Sequence, residues 1–124
     1  MTRLHLVPEH FASVLLVEDD KDIRDAMSAL LESEGYTVLT AGNGEEALRI
    51  LDRGQPCVVL LDLMMPVMSG AELLEVVRQD AALARVPIVV VSAWPEEASR
   101  LNGTCAFVKK PIDLAELLSV VAQP

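Results

Sequence analysis

Four apolar residues, Val58-Val59-Leu60-Leu61, run directly into a carboxylate, Asp62, and Leu63-Met64-Met65-Pro66 follow. A continuous apolar run of strand length fits a strand buried on both faces, as in a parallel sheet. Asp62 then falls at or near the strand's carboxyl end, the edge of an open α/β sheet where ligands bind. An unpaired carboxylate at the tip of a buried strand is costly. The rest of the chain must therefore supply partners for Asp62.

Strand signals recur on both sides of this stretch. Residues 1–12 carry His5, Pro8 and His10 without a clear period and read as a short N-terminal arm, its histidines as surface decoration. Ser13-Val14-Leu15-Leu16-Val17 reads as the first strand, with Glu18-Asp19-Asp20 at its carboxyl end. Ile23, Met27, Leu30 and Leu31 then recur at helical spacing until Gly35 stops the helix. Residues 36–40 form a second strand. Asn43 and Glu46 have the spacing of a capping box, and Ala47, Leu48 and Leu51 form the inner stripe of the helix they open.

The central strand, 57–62, follows Gly54 and Pro56. Ser69 and Glu72 repeat the capping pattern before a stripe of Leu73, Leu74 and Val77. Residues 87–92 form a fourth strand that is apolar until Ser92. Pro95 suits a first helical turn, and the segment 96–101 is short and weakly patterned. Residues 105–109 form a fifth strand, ended by Lys110-Pro111. Asp113 caps a last helix with Leu114, Leu117, Leu118 and Val121 facing inward. Five alternations of strand and helix imply right-handed crossovers and one parallel sheet with helices on both faces.

A chain of 124 residues suits one domain, here 13–124 after the arm. It is 52% hydrophobic but 3% aromatic, so its core is aliphatic. A net charge of −9 argues against a nucleic-acid backbone as partner and is compatible with a cation or a basic partner. Cys57 and Cys105 are far apart and form no CxxC pair, which argues against structural zinc and fits free thiols in a reducing cytoplasm. The first residues lack the apolar core of a signal peptide, and no run reaches the length of a membrane span. A soluble cytoplasmic protein is expected.

Read together, the strand ends carry the chemistry: Glu18-Asp19, Asp62, Ser92 and Lys110. In a parallel sheet these ends share one edge. Three carboxylates close together need a counter-charge. Lys110 supplies one, and a divalent cation the rest; hard oxygen ligands with room for waters suit Mg2+. A carboxylate beside a cation and a lysine can attack a phosphoryl group and become an aspartyl phosphate. Each residue alone has a blander reading as solvated surface, strand end or exposed lysine. It is their joint placement at successive strand ends that favours chemistry.

The combination resembles the receiver domain of two-component response regulators. The resemblance spans about Ser13 to Ala122. It rests on Leu15-Leu16-Val17-Glu18-Asp19-Asp20, Leu61-Asp62-Leu63-Met64-Met65-Pro66-Val67-Met68-Ser69-Gly70, Val91-Ser92-Ala93 and Phe107-Val108-Lys109-Lys110-Pro111. It implies a flavodoxin-like sheet of order 2-1-3-4-5. It implies that Asp62 is the phosphoacceptor, that Asp19 binds Mg2+ directly and Glu18 through water, and that the Met64 carbonyl is a further ligand. Lys110 would pair with the phosphoryl group, Ser92 would move toward it, and Phe107 would stand as the switch aromatic. The phosphodonor would be a histidine kinase. The receiver itself catalyses the transfer, so it is not a conventional enzyme.

The sequence departs from the family pattern in three places. Ser92 to Lys110 is roughly four positions shorter than usual, about one helical turn, which implies a shortened fourth helix and an altered output or dimer face. Ser69 stands where aspartate is common. Trp94, two positions after the switch hydroxyl, is placed to shield an acyl phosphate from water. The expectation carried forward is a stand-alone phosphoacceptor that signals by protein–protein interaction, since the sequence stops at Pro124 with no effector domain; a receiver cut from a larger kinase or regulator stays open beside it. A second reading is a phosphorylation-independent interaction module of the same fold, a pseudo-receiver, favoured by the shortened helix. A third, a small aspartyl phosphatase, is opposed by Met64, which stands where such enzymes place a second aspartate. The sequence names neither the cognate kinase nor the output partner.

Overall fold

The computed structural model describes residues 13–53, 58–62, 70–81, 83–92, 106–109, 113, 115–117 and 119. Five strands, β1 (Ser13–Val17), β2 (Thr37–Ala41), β3 (Val58–Asp62), β4 (Ile88–Ser92) and β5 (Ala106–Lys109), form one sheet of order β2-β1-β3-β4-β5. Every pairing is parallel. Helices α1 (Lys21–Ser33), α2 (Gly44–Arg53) and α3 (Gly70–Gln79) connect the strands, and a 3-10 turn, Leu83–Arg85, precedes β4. Residues 115–117 are helical, with Asp113 accepting from the Glu116 amide at 3.0 Å as a cap.

The alternation of side chains along a strand divides the core into two layers. Leu15 and Val17 of β1 and Val59 and Leu61 of β3 face α2 and α3, where Ala47, Leu51, Leu73, Leu74 and Val77 cover them. Val14, Leu16, Val58 and Leu60 face the other way, onto Met27 and Leu31 of α1 and onto Leu117. All five residues of β3 are buried, which is why its sequence is apolar without alternation. At the sheet edge, β2 is mostly exposed and its residues are mixed.

The close of α1 shifts the second strand by one residue from its expected start. Gly35 takes φ +100°, a backbone conformation open to glycine. Its N–H donates to Glu32 O at 3.0 Å, and the Tyr36 N–H donates to Leu31 O at 3.1 Å. These two bonds satisfy the last carbonyls of the helix. With its N–H so engaged, Tyr36 closes α1 and β2 begins at Thr37. The ring of Tyr36 packs on the layer that contains Leu31.

Other boundaries differ for local reasons. Pro87 has no N–H to give a ladder, so β4 starts at Ile88, while the Pro87 carbonyl still accepts from Val59 N at 2.9 Å. Ile23, expected on the inner stripe of α1, is exposed: it lies in the first turn, where the strands have already ended. Leu30 is half-buried, while Met27 and Leu31 carry the packing. The 3-10 turn was not legible in the sequence; Asp80 caps it by accepting from Leu83 N at 3.2 Å. The N-terminal arm, the cysteines, the Ser69 cap and the shortened fourth helix lie outside the described residues.

Candidate functional site

The order of the sheet determines which strand ends meet. The chain leaves β1 in one direction to form β2 and later reaches the other side of β1 with β3, so the crossovers diverge between β1 and β3. Val17 and Leu61 are register partners there. The next residue on each strand is a carboxylate, Glu18 and Asp62, and both are buried at 3% and 4% exposure. Asp19 follows, exposed. Glu18, Asp19 and Asp62 each offer a carboxylate oxygen, and these oxygens lie within 4.8 Å of one another.

Of the three successive acidic residues after β1, the third has a different task. Asp20 is the N-cap of α1: its Oδ1 accepts from the amides of Asp22 at 2.9 Å and Ile23 at 3.1 Å. These are donors that no helical carbonyl reaches. The Asp20 N–H in turn donates to Glu18 Oε2 at 3.1 Å, which ties one Glu18 oxygen to the turn. Lys21 directs its ammonium to Asp25 Oδ2 at 2.7 Å. That hydrogen bond, with the charge of Lys21 and Arg24, holds the Asp25 carboxyl below its usual range.

The cluster fits a hard divalent cation. Carboxylate oxygens are the donors such ions take, and three like charges at this spacing call for a counter-charge. Two of the three carboxylates are withdrawn from water, where screening is weakest.

The other expected site residues are placed in part. Asp62 is in register with Val91, so Ser92 ends β4 one position further along the same edge. Ser92 pairs with Lys109, the last residue of β5, and Phe107 pairs with Val90. Lys110, Met64 and Trp94 lie outside the described residues. Sequence reasoning left two residues of this edge without a role. One is Asp20, hidden in a run of acids. The other is Arg24, whose Nη1 donates to the Glu18 carbonyl at 2.9 Å.

Comparison with known proteins agrees with this geometry. The chain matches the response regulator receiver domain over residues 14–122 and belongs to that family. It is thus a receiver domain of two-component systems, and Glu18, Asp19 and Asp62 form an acidic cluster in it. It is 36% identical over 114 residues to an uncharacterized 14.6 kDa protein of Leptolyngbya boryana, covering 89% of this chain and 87% of that one. It is also 36% identical to the response regulator Rre1 of Synechocystis, covering 88% of this chain but only 49% of that protein. The chain thus spans about half the length of Rre1. The response regulator TrrA of Thermotoga maritima, solved in complex with Mg2+ and BeF, superimposes with a TM-score of 0.79 at 32% identity, covering 88% of this chain and 95% of that one. Among the described residues, no helix is long and apolar enough to cross a membrane.

Proposed function

We propose that this receiver accepts a phosphoryl group on Asp62 from the phosphohistidine of a histidine kinase, and that it signals by binding a protein partner. The observation that carries the reading is the convergence of Glu18, Asp19 and Asp62 at the junction of β1 and β3. Glu18, Asp19 and Asp62, with the Met64 carbonyl, would hold Mg2+. Bound there, Mg2+ supplies positive charge to the oxygens of the transferring group.

Asp62 is the nucleophile. One carboxylate oxygen attacks phosphorus and forms the new O–P bond. The P–N bond of the donor breaks, and its electron pair stays on the imidazole nitrogen. Lys110, next in the chain after β5, pairs with the phosphoryl oxygens, and the Ser92 hydroxyl donates to one of them. Phe107 responds as the switch aromatic. Trp94 shields the acyl phosphate from water. Glu18 and Asp19 hold the cation side of the site. The protein works in the cytoplasm, where kinase and partner meet it.

Site mapping tests the assignment. Protein phosphorylated by acetyl phosphate is treated with borohydride, which reduces an acyl phosphate at its carbonyl carbon, and is then digested. The reduced residue is expected at position 62. Reduction at Asp19 or Glu18 instead would contradict the assignment.

A further inference from the structure

The main chain of Glu18 is held from two sides. Its N–H donates to Ala41 O at 3.0 Å, and its carbonyl accepts from Arg24 Nη1 at 2.9 Å. The same Nη1 lies 3.3 Å from the point a Cβ on Gly42 would occupy, and Glu46 Oε1 lies 3.3 Å from that point too. Glu46 Oε1 also accepts from the Gly42 N–H at 2.6 Å. The guanidinium thus bonds to the turn after β1 and lies against the turn after β2. Position 42 leaves it room by having no side chain.

We propose that Arg24 is a positioning residue for the carboxylate cluster. By holding the Glu18 carbonyl it sets the direction in which the Glu18 side chain leaves β1, and with it the spacing of Glu18 from Asp19 and Asp62. A carbonyl released from this bond lets the Glu18–Asp19 peptide rotate, which shifts Asp19 and the Asp20 N–H that holds Glu18 Oε2. A group that orients a ligand in this way commonly changes metal affinity without touching the metal. Arginine suits the task because its rigid fork fixes donor direction. The inference rests on the reading that the cluster holds a divalent cation.

The test is Mg2+ affinity, measured by calorimetric titration on folded protein well below its unfolding temperature. Arg24→Ala is expected to bind Mg2+ roughly ten-fold more weakly than wild type. Arg24→Lys, which keeps one donor, is expected to recover part of the loss. Gly42→Ala places a methyl group against the guanidinium and is expected to weaken binding in the same direction. The double variant Arg24→Ala/Gly42→Ala is expected to bind no more weakly than Arg24→Ala, because both changes disturb one contact. Wild-type affinity in folded Arg24→Ala, or fully additive losses in the double variant, would overturn the proposal. If Arg24→Ala does not fold, unchanged affinity in both Arg24→Lys and Gly42→Ala overturns it equally. A wild-type protein that binds no Mg2+ would instead overturn the reading of the cluster itself, and the proposal with it.

Discussion

Glu18 and Asp62 leave the sheet side by side, each one position beyond the register pair Val17 and Leu61. Both are almost wholly buried, and Asp19 brings a third carboxylate to within ligand distance. Two buried like charges on adjacent strands oppose folding unless something of opposite sign joins them. A cation bound among the three carboxylates would offset that repulsion.

That repulsion predicts how stability responds to the metal. In chelator, Asp62→Asn should unfold at a higher temperature than wild type, since one of the crowded charges is gone. Adding Mg2+ at a hundred times its Kd should stabilise wild type by about 2.7 kcal/mol, and Asp62→Asn by much less. Thermal unfolding with and without Mg2+ checks both; equal stabilisation of the two proteins would show that Asp62 is no ligand.

The two-layer core predicts a contrast between two leucines. Leu31 of α1 is fully buried against β1 and β3, whereas Leu39 of the edge strand is 44% exposed. Leu31→Ala should destabilise by about 2–5 kcal/mol, and Leu39→Ala by under about 1 kcal/mol. Urea unfolding of the two variants decides; a comparable loss in both would mean that Leu39 is covered in solution.

Gly35 predicts a backbone effect free of packing. A Cβ there would meet nothing within 4 Å, so the space is open and only the φ of +100° resists a side chain. Gly35→Ala should cost about 1–2 kcal/mol, and Gly35→Asn less, since asparagine tolerates positive φ better. If alanine is neutral in denaturant unfolding, the end of α1 relaxes without loss and the tight link from Leu31 to Tyr36 is dispensable.

Trp94 predicts a kinetic effect. With its indole removed, Trp94→Ala should release inorganic phosphate from the phosphorylated protein faster than wild type. The decay of phosphorylated protein after removal of the phosphodonor measures this. An unchanged lifetime would remove Trp94 from the account.

Much of this was legible in the sequence because local pattern and tertiary demand agree there. The run Val58–Leu61 is apolar on every residue because helices cover both faces of β3. Asn43 and Glu46 announce the start of α2, and Asn43 does accept from the Glu46 amide at 2.9 Å. The reciprocal bond goes to Gly42 N rather than to Asn43 N, a difference of one residue that spacing cannot resolve. The start of β2 was misplaced because the use of the Tyr36 N–H depends on helix closure, not on β propensity. Asp20 sits third in a run of acids, where composition does not separate a cap from a ligand. Arg24 reaches a carbonyl six residues back and a glycine on another strand's turn, and no local pattern marks such a contact.

The measurement that tests the central claim most directly is Mg2+-dependent labelling by acetyl phosphate, read by intact mass with Asp62→Asn as control. The account predicts a gain of one phosphoryl group on wild type in Mg2+, and none on wild type in chelator or on Asp62→Asn. Folded wild-type protein that binds Mg2+ yet gains no phosphoryl group would contradict it, and would identify the chain as a receiver that works by binding alone.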